Sequence, residues 1–288
     1  MLITEFHKLY RDEGLSSEVI NAFQKIIYSY YKQYGRDFPF RNDINPYNVL
    51  ISEIMLQQTQ TGRVTEKFLQ FKKEFPDFQA LSIAPLEEVL HAWQGLGYNR
   101  RAIALKKIAE LVINEFNGIL PDSVGQLKEF PQIGHNTASS IVAFAFNKPV
   151  YFIETNIRRV FIYFYFPKKK KIDDKEILPI VKSTLDKRNP RKWYYALMDY
   201  GVMLKKNHPE LHKRSAHYRK QAPFKGSDRQ IRGKILRQLL KIKELTQIEL
   251  SQQLNVNLNK LKSILHQLEK EGFIFMDGSK ITIKKNDI

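Results

Sequence analysis

Apolar residues return every three or four positions along most of this chain, and each such stretch stops at a proline or a glycine. Over residues 17–34 the pattern runs Val19, Ile20, Phe23, Ile26, Ile27, Tyr30 and Tyr31, and Pro39 follows soon after it ends. That spacing lines one face of an α-helix. The same reading predicts helices over 46–58, 61–75, 85–93, 100–116 and 123–130, separated by Pro76, by Gly95-Leu96-Gly97, and by Gly118 and Pro121. After Gly134 come an apolar helix over 137–146, Pro149, a short aromatic and aliphatic stretch at 150–153, and a helix from near Asn156. Residues 174–185 and 191–205 are helical again. The lysine run 168–171 interrupts the pattern and reads as a solvated turn, with a phosphate contact as the alternative. Trp93, Tyr163, Tyr165, Trp193, Tyr194 and Tyr195 sit at helical spacing among aliphatics, so they read as core rather than as a platform for stacked bases. The fold class is mainly α.

The chain has 288 residues, 43% of them apolar, enough for about two domains with cores of their own. Lys and Arg number 47 against 30 Asp and Glu, a formal charge of +17, which points to a polyanionic partner and first to nucleic acid. No cysteine occurs, so disulfides, thiol nucleophiles, Cys-ligated zinc and iron–sulfur clusters are excluded. Residues 1–10 mix Glu, His and Lys rather than forming a signal peptide, and no apolar run is long enough to cross a bilayer. The expectation is a cytosolic, nucleoid-associated monomer that needs no cofactor and no membrane.

Composition changes near Lys206. Residues 207–232 hold few aliphatics but many basic and aromatic groups, among them His208, His212, Arg214, His217, Tyr218 and Arg229, and read as a connecting loop. The three histidines lack a clear fourth ligand, so phosphate-facing or surface positions are preferred to a metal site. Beyond the loop, helices over 233–242, 246–254 and 259–271 precede two strand-like runs around Asp277-Gly278. Three helices and a hairpin is the winged-helix order. Thr246 with Glu249 suits a capping box, and the second helix of the pair would present Asn257, Asn259, Lys260, Lys262, Ser263 and His266 to duplex DNA or to a protein.

With no thiol available, carboxylates are the most economical catalytic groups. Glu53 is an acid within the apolar run Ile51-Ser52-Glu53-Ile54-Met55-Leu56, where burial would let it hold a proton for general acid work; a core or capping carboxylate is the plain alternative. Glu154 follows the hydrophobic run 150–153 and could cap the next helix or pair with an arginine. The segment Phe130-Pro131-Gln132-Ile133-Gly134-His135-Asn136-Thr137-Ala138 is a tight turn between helices, with backbone N–H groups placed to bind a phosphate.

This turn resembles the hairpin of the helix-hairpin-helix DNA glycosylases. Ser52-Glu53-Ile54-Met55-Leu56-Gln57-Gln58-Thr59-Gln60-Thr61, Ala84-Pro85-Leu86-Glu87-Glu88-Val89-Leu90, Gly95-Leu96-Gly97-Tyr98 and Arg100-Arg101-Ala102 resemble the adenine-excising branch in the same order, so the likeness covers roughly residues 21–203. It implies a two-lobed helix-hairpin-helix glycosylase fold with a C-terminal winged-helix domain. The expected layout is residues 1–22 as N-terminal helices packing with the second lobe, 23–133 as a six-helix barrel lobe ending in the helix-hairpin-helix, 134–206 as the second helical lobe, 207–232 as a basic loop in place of an iron–sulfur cluster loop, and 233–288 as the winged-helix domain.

The resemblance also implies roles. Glu53 matches the general acid that protonates the departing adenine. Glu154 stands where the family has Asp, the carboxylate that stabilises or attacks the oxocarbenium-like sugar, so this chain departs by one methylene. Gln57, Gln58 and Tyr98 match residues that wedge the stack or contact the estranged base, because an extruded nucleotide leaves a hole to fill. Asn136 stands where bifunctional members carry a Schiff-base lysine, which implies hydrolysis without strand nicking. Gln132, Gly134, His135, Thr137, Arg100, Arg158, Arg214, His217 and Arg229 are the expected phosphate contacts, although Gln132 replaces the first glycine usual in the hairpin. The chain resembles the clusterless branch of the family, without iron–sulfur cysteines. The implied partner is double-stranded DNA with a mispair or lesion, most directly adenine opposite 8-oxoguanine or guanine. Thymine or uracil excision opposite guanine, and a catalytically idle DNA binder, stand as rivals.

Overall fold

The computed structural model describes residues 1–220 and 223–285. Helices α1 (Ile3–Glu13), α2 (Ser17–Tyr34), α3 (Pro39–Asn42), α4 (Pro46–Leu56), α5 (Thr61–Glu74), α6 (Phe78–Ile83), α7 (Leu86–Ala92) and α8 (Arg100–Phe116) open the chain. They are followed by α9 (Val124–Lys128), α10 (His135–Phe146), α11 (Thr155–Tyr165), α12 (Asp174–Thr184), α13 (Pro190–Asn207) and a 3-10 turn at Pro209–Arg214. A C-terminal module then runs α14 (Asp228–Ile242), β1 (Glu244–Thr246), α15 (Gln247–Leu254), α16 (Leu258–Lys270), β2 (Ile274–Asp277) and β3 (Lys280–Ile283). None of the described helices is long and apolar enough to cross a membrane.

The chain divides into two compact units. The first comprises residues 1–49, 122–129 and 133–220. Its core is aromatic: Phe6 meets Phe164 edge-on at 5.1 Å, and Phe23 meets Trp193 at 5.6 Å. The apolar stripe of α2, Val19, Phe23 and Ile27, is buried in this core with Phe161 and Tyr194. That packing places residues 23–49 with the first unit, whereas the sequence reading puts residue 23 onward in a barrel lobe. Trp193, Tyr194, Tyr195 and Tyr165 are buried as expected of core residues, while Tyr163 is half-buried. The lysine run is an exposed turn, and Arg214 reaches back to it, donating to the carbonyls of Phe166 and Lys169.

The second unit comprises residues 50–121, 130–132 and the described residues beyond 222. Val64, Phe68, Phe71, Trp93, Leu105 and Ile108 are buried along α5 to α8, and Phe71 meets the Trp93 ring at 5.9 Å. Helix α6 escapes the sequence reading because six residues are too few to show a period; Asp77 starts it by accepting from Ala80 N at 2.8 Å. In the C-terminal module the strands form one antiparallel sheet in the order β1-β3-β2, with Leu245 opposite Ile281 and Ile274 opposite Ile283. Thr246 and Glu249 make the reciprocal capping box that starts α15. Strand β1 ends on that same threonine, and three residues are too short to show alternation. Helix α14 begins at Asp228, inside the stretch read as loop.

Candidate active site

The candidate residues fall into two groups, each within one unit. In the first unit the chain enters α11 through Glu154, which is the N-cap of that helix. Its Oε1 accepts from Asn156 N at 2.8 Å and Ile157 N at 2.9 Å, and Oε2 accepts from Asn156 Nδ2 at 3.3 Å. Aspartate is the acid that ordinarily fits an N-cap; here the longer side chain makes both backbone contacts. Burial pushes the Glu154 carboxyl above the usual glutamate range, outweighing the two backbone N–H groups and the nearby Arg159 and Arg158, which pull it down.

Two residues at the start of α10 hold the strand-like segment that leads into Glu154. Asn136 Nδ2 donates to Ile153 O at 2.9 Å, and a His135 ring nitrogen lies 3.1 Å from Tyr151 O. Asn136 is therefore a neighbour of Glu154 through one carbonyl. Gly134 caps α10 without a side chain, and a Cβ built on it meets nothing within 4 Å. Packing in this structure therefore does not require glycine there. Thr137 lies in the first turn of the same helix, its carbonyl accepting from Ser140 Oγ at 3.0 Å.

Behind Glu154, Arg159 donates to Asn156 Oδ1 at 2.8 Å and to Gly201 O at 2.9 Å. Gly201 lets α13 approach α11 so closely that an added Cβ would lie 2.4 Å from Asn156 O. Gly201→Ala is expected to cost about 1–3 kcal/mol, the usual range for overpacking. It should also displace the Glu154 cap, and a denaturant titration measures the loss of stability. Sequence reading missed Gly201, although an isolated glycine inside the 191–205 helical pattern is a signal of close packing.

In the second unit Glu53 lies half-buried on α4, flanked by buried Ser52 and Ile54. Helix α4 ends at Leu56, two residues short of the predicted end, because Arg101 gathers the carbonyls released there. Its guanidinium donates to the oxygens of Ile54 (2.9 Å), Met55 (2.9 Å) and Gln57 (2.6 Å), to Thr59 Oγ1 (3.0 Å), and to Leu96 and Gly97 (3.1 and 2.9 Å). Burial lowers the Arg101 pKa to about 10, which still leaves it charged at neutral pH. This residue joins the loop of Gln57 and Gln58 to the loop of Tyr98. Its signal in the sequence was a charge on the buried stripe Arg101, Leu105, Ile108, Val112 of α8.

Gln58, Tyr98 and Gln132 all have left-handed backbones, with φ of 55°, 48° and 61°. Non-glycine residues held there store strain, which collects at functional sites. Gln132 thus takes up the conformation that a glycine would adopt freely, and its carbonyl accepts from Gln57 Nε2 at 3.5 Å. Tyr98 is 36% exposed.

The basic residues named as phosphate contacts are engaged within the protein. Arg158 holds Asp174 in a two-pronged ion pair at 2.6 and 2.7 Å, and His217 lies 3.8 Å from the same carboxylate, so these two come together. Arg214 donates to backbone carbonyls as described above. Arg100 pairs with Glu271, and Arg229 donates to Tyr98 Oη at 2.6 Å. The charge pattern showed these cations but not their partners. No three His, Asp or Glu side chains gather as a metal-binding group among the described residues. His208 lies against the Tyr163 ring and His212 against that of Tyr218.

Residues 51–183 match the HhH-GPD superfamily of base excision DNA repair proteins. The chain is 37% identical over 188 residues to the adenine DNA glycosylase of Buchnera aphidicola subsp. Baizongia pistaciae, covering 64% of this chain and 53% of that protein. It is 35% identical over 133 residues to the adenine DNA glycosylase of Mycobacterium tuberculosis, covering 46% of this chain and 44% of that protein. The chain thus matches about half the length of these relatives. Among solved structures, a thermostable thymine-DNA glycosylase superimposes with a TM-score of 0.57 at 25% identity, covering 64% of this chain and 86% of that one. Endonuclease III in a trapped covalent intermediate with DNA superimposes with a TM-score of 0.52 over 73% of this chain and 91% of that one; at 18% identity this shows a shared fold.

Proposed function

We propose that this HhH-GPD protein is a monofunctional DNA glycosylase that extrudes adenine mispaired with 8-oxoguanine or guanine and hydrolyses its glycosidic bond. The observation that carries the reading is the seat of Glu154: a half-buried carboxylate fixed by two backbone N–H groups, one carbonyl away from the hairpin residue Asn136. Glu53 donates a proton to the adenine ring, and the C1′–N bond breaks with its electron pair leaving on the base. Glu154 in its ionised form counters the positive charge that develops on the sugar, and water then adds at C1′ and releases its proton to solvent. Asn136 has no amine to form a Schiff base, so the product is an abasic site in an unbroken strand. Gln57, Gln58 and Tyr98 fill the gap and meet the opposite base, while Gln132, Gly134, His135 and Thr137 present the hairpin to a phosphate. The exposed face of α16, with Asn259, Lys262, Ser263 and His266, makes the C-terminal module a winged-helix contact to duplex DNA. The protein works on DNA as a monomer, close to the nucleoid.

The test is a panel of end-labelled duplexes carrying adenine opposite 8-oxoguanine or guanine, and thymine or uracil opposite guanine, each developed with and without alkali. Alkali-dependent cutting of the adenine strand is expected. Cutting without alkali would remove the monofunctional assignment. A second reading, thymine or uracil excision opposite guanine, draws on the superposition with the thymine-DNA glycosylase, and selective cutting of those strands would replace adenine as the substrate.

The pH profile tests Glu154 directly. Its carboxyl must be ionised to act, and burial raises its pKa, so the excision rate should fall on the acid side at a pH above the ordinary glutamate range. The stability sign is opposite. An acid whose pKa rises on folding contributes stability that is complete below its unfolded value and is lost as pH rises through the folded value. Glu154→Gln is therefore expected to melt no lower than the parent at pH 7 while losing the acid limb and most of the excision rate.

A further inference from the structure

Two tethers join the C-terminal module to the short segment that presents Tyr98, both within the second unit. In the first, Arg229 Nη1 donates to Tyr98 Oη at 2.6 Å, and the same guanidinium lies 5.6 Å from the centre of the tyrosine ring. In the second, Glu271 at the end of α16 receives Arg100, whose Nε lies 2.7 Å away, and also Arg232. Arg100 opens α8 two residues after Tyr98, and Arg232 stands one helical turn after Arg229 on α14. Burial alone would raise the Glu271 carboxyl, but the hydrogen bonds from Arg100 and Arg232 hold it below the usual range, so it is ionised near neutral pH.

We propose that Arg229 is a positioning residue for Tyr98, through which the C-terminal module sets how strongly the enzyme discriminates the base opposite its target. The inference rests on the reading above, in which Tyr98 meets that opposite base. An exposed tyrosine ordinarily samples several rotamers, and ordering one on binding costs free energy. Here the ring is already held. Its hydroxyl accepts a charge-assisted hydrogen bond, and the Arg101 guanidinium lies 5.4 Å from its centre as a second cation. The backbone beneath is also fixed, because Tyr98 O accepts from Arg101 N at 2.9 Å and Trp93 Nε1 donates to Gly97 O at 3.1 Å. Arg229 is fixed in turn: Ser227 caps α14 by accepting from Gln230 N, and Gln230 Oε1 accepts from Gly226 N at 2.8 Å. The module thus acts on recognition through a side chain of the glycosylase lobe, in addition to any duplex contact of its own.

The test is a double-mutant cycle in the full chain with Arg229→Ala, Tyr98→Phe and the pair, plus Arg229→Lys. Single-turnover excision of adenine opposite 8-oxoguanine, guanine and cytosine is measured across a salt series. Arg229→Ala should shrink the rate ratio between the best and worst opposite base roughly tenfold, the effect of losing one charge-assisted hydrogen bond. Tyr98→Phe should do the same and the pair no more, with the salt slope of binding unchanged; Arg229→Lys should restore part of the ratio. Additive losses overturn the proposal. So does a uniform loss of affinity for all duplexes with a shallower salt slope, the mark of a phosphate contact. If the unaltered chain cuts none of the duplexes, the glycosylase reading fails and the discrimination falls with it. The Tyr98–Arg229 contact is then judged separately by the same cycle in thermal unfolding midpoints without DNA, where non-additive shifts support the pairing and additive ones refute it.

Discussion

Glu53→Gln is expected to slow single-turnover base excision by about 10²–10⁴-fold, the range assigned to a positioned general acid, while duplex affinity stays within a few-fold. Glutamine keeps the volume of the side chain and much of its hydrogen bonding but has no proton to give. The residue lies half-buried on α4 between buried neighbours, so its position is set by the helix and should survive the change. Excision is read from alkali-developed labelled duplexes and affinity from anisotropy with a duplex holding an abasic analogue. Binding that persists while cutting disappears also removes the idle DNA-binding protein as a rival. Equal cutting by the variant would remove Glu53 from the mechanism.

Arg101→Met should cost about 3–5 kcal/mol, comparable to breaking a buried ionic group from its partners. Methionine fills a similar volume but leaves the carbonyls of Ile54, Met55, Gln57, Leu96 and Gly97 without the donor that now serves them. Arg101→Lys is expected to recover little, because one ammonium cannot reach acceptors spread around a planar fork of five N–H groups. Denaturant unfolding measures the loss. A change under about 1 kcal/mol, the net worth of a single ordinary hydrogen bond, would mean that water can replace the arginine. The loops of Gln57, Gln58 and Tyr98 would then owe their shape to something else.

Much of the fold is legible in the chain. The apolar stripe of α2, the capping box at Thr246 and Glu249, and the turn at Gly278 follow from local spacing. Short elements were not legible: α6, β1 and the turn at Pro209–Arg214 have too few residues to show a period. In the candidate site, the acids stood out because Glu53 interrupts an apolar run and Glu154 precedes a helix. Their supports did not. Gly201 and Arg101 matter through partners far away in sequence, Asn156 in one case and Ile54 to Thr59 in the other. The basic residues show the same limit, since Arg158 and Arg100 read as phosphate contacts until Asp174 and Glu271 are seen beside them.

What the sequence by itself determined is the longer helices and the chemical identity of the two candidate acids. These depend on residue type and short-range periodicity, which the chain carries locally. Tertiary structure decided what each charged side chain does. A guanidinium looks the same in sequence whether it meets a phosphate, a carboxylate or a ring of carbonyls. Only the three-dimensional path of the chain brings Arg229 to Tyr98 and Glu271 to Arg100, because the free energy of a charge is set by the dipoles and charges within a few ångströms of it.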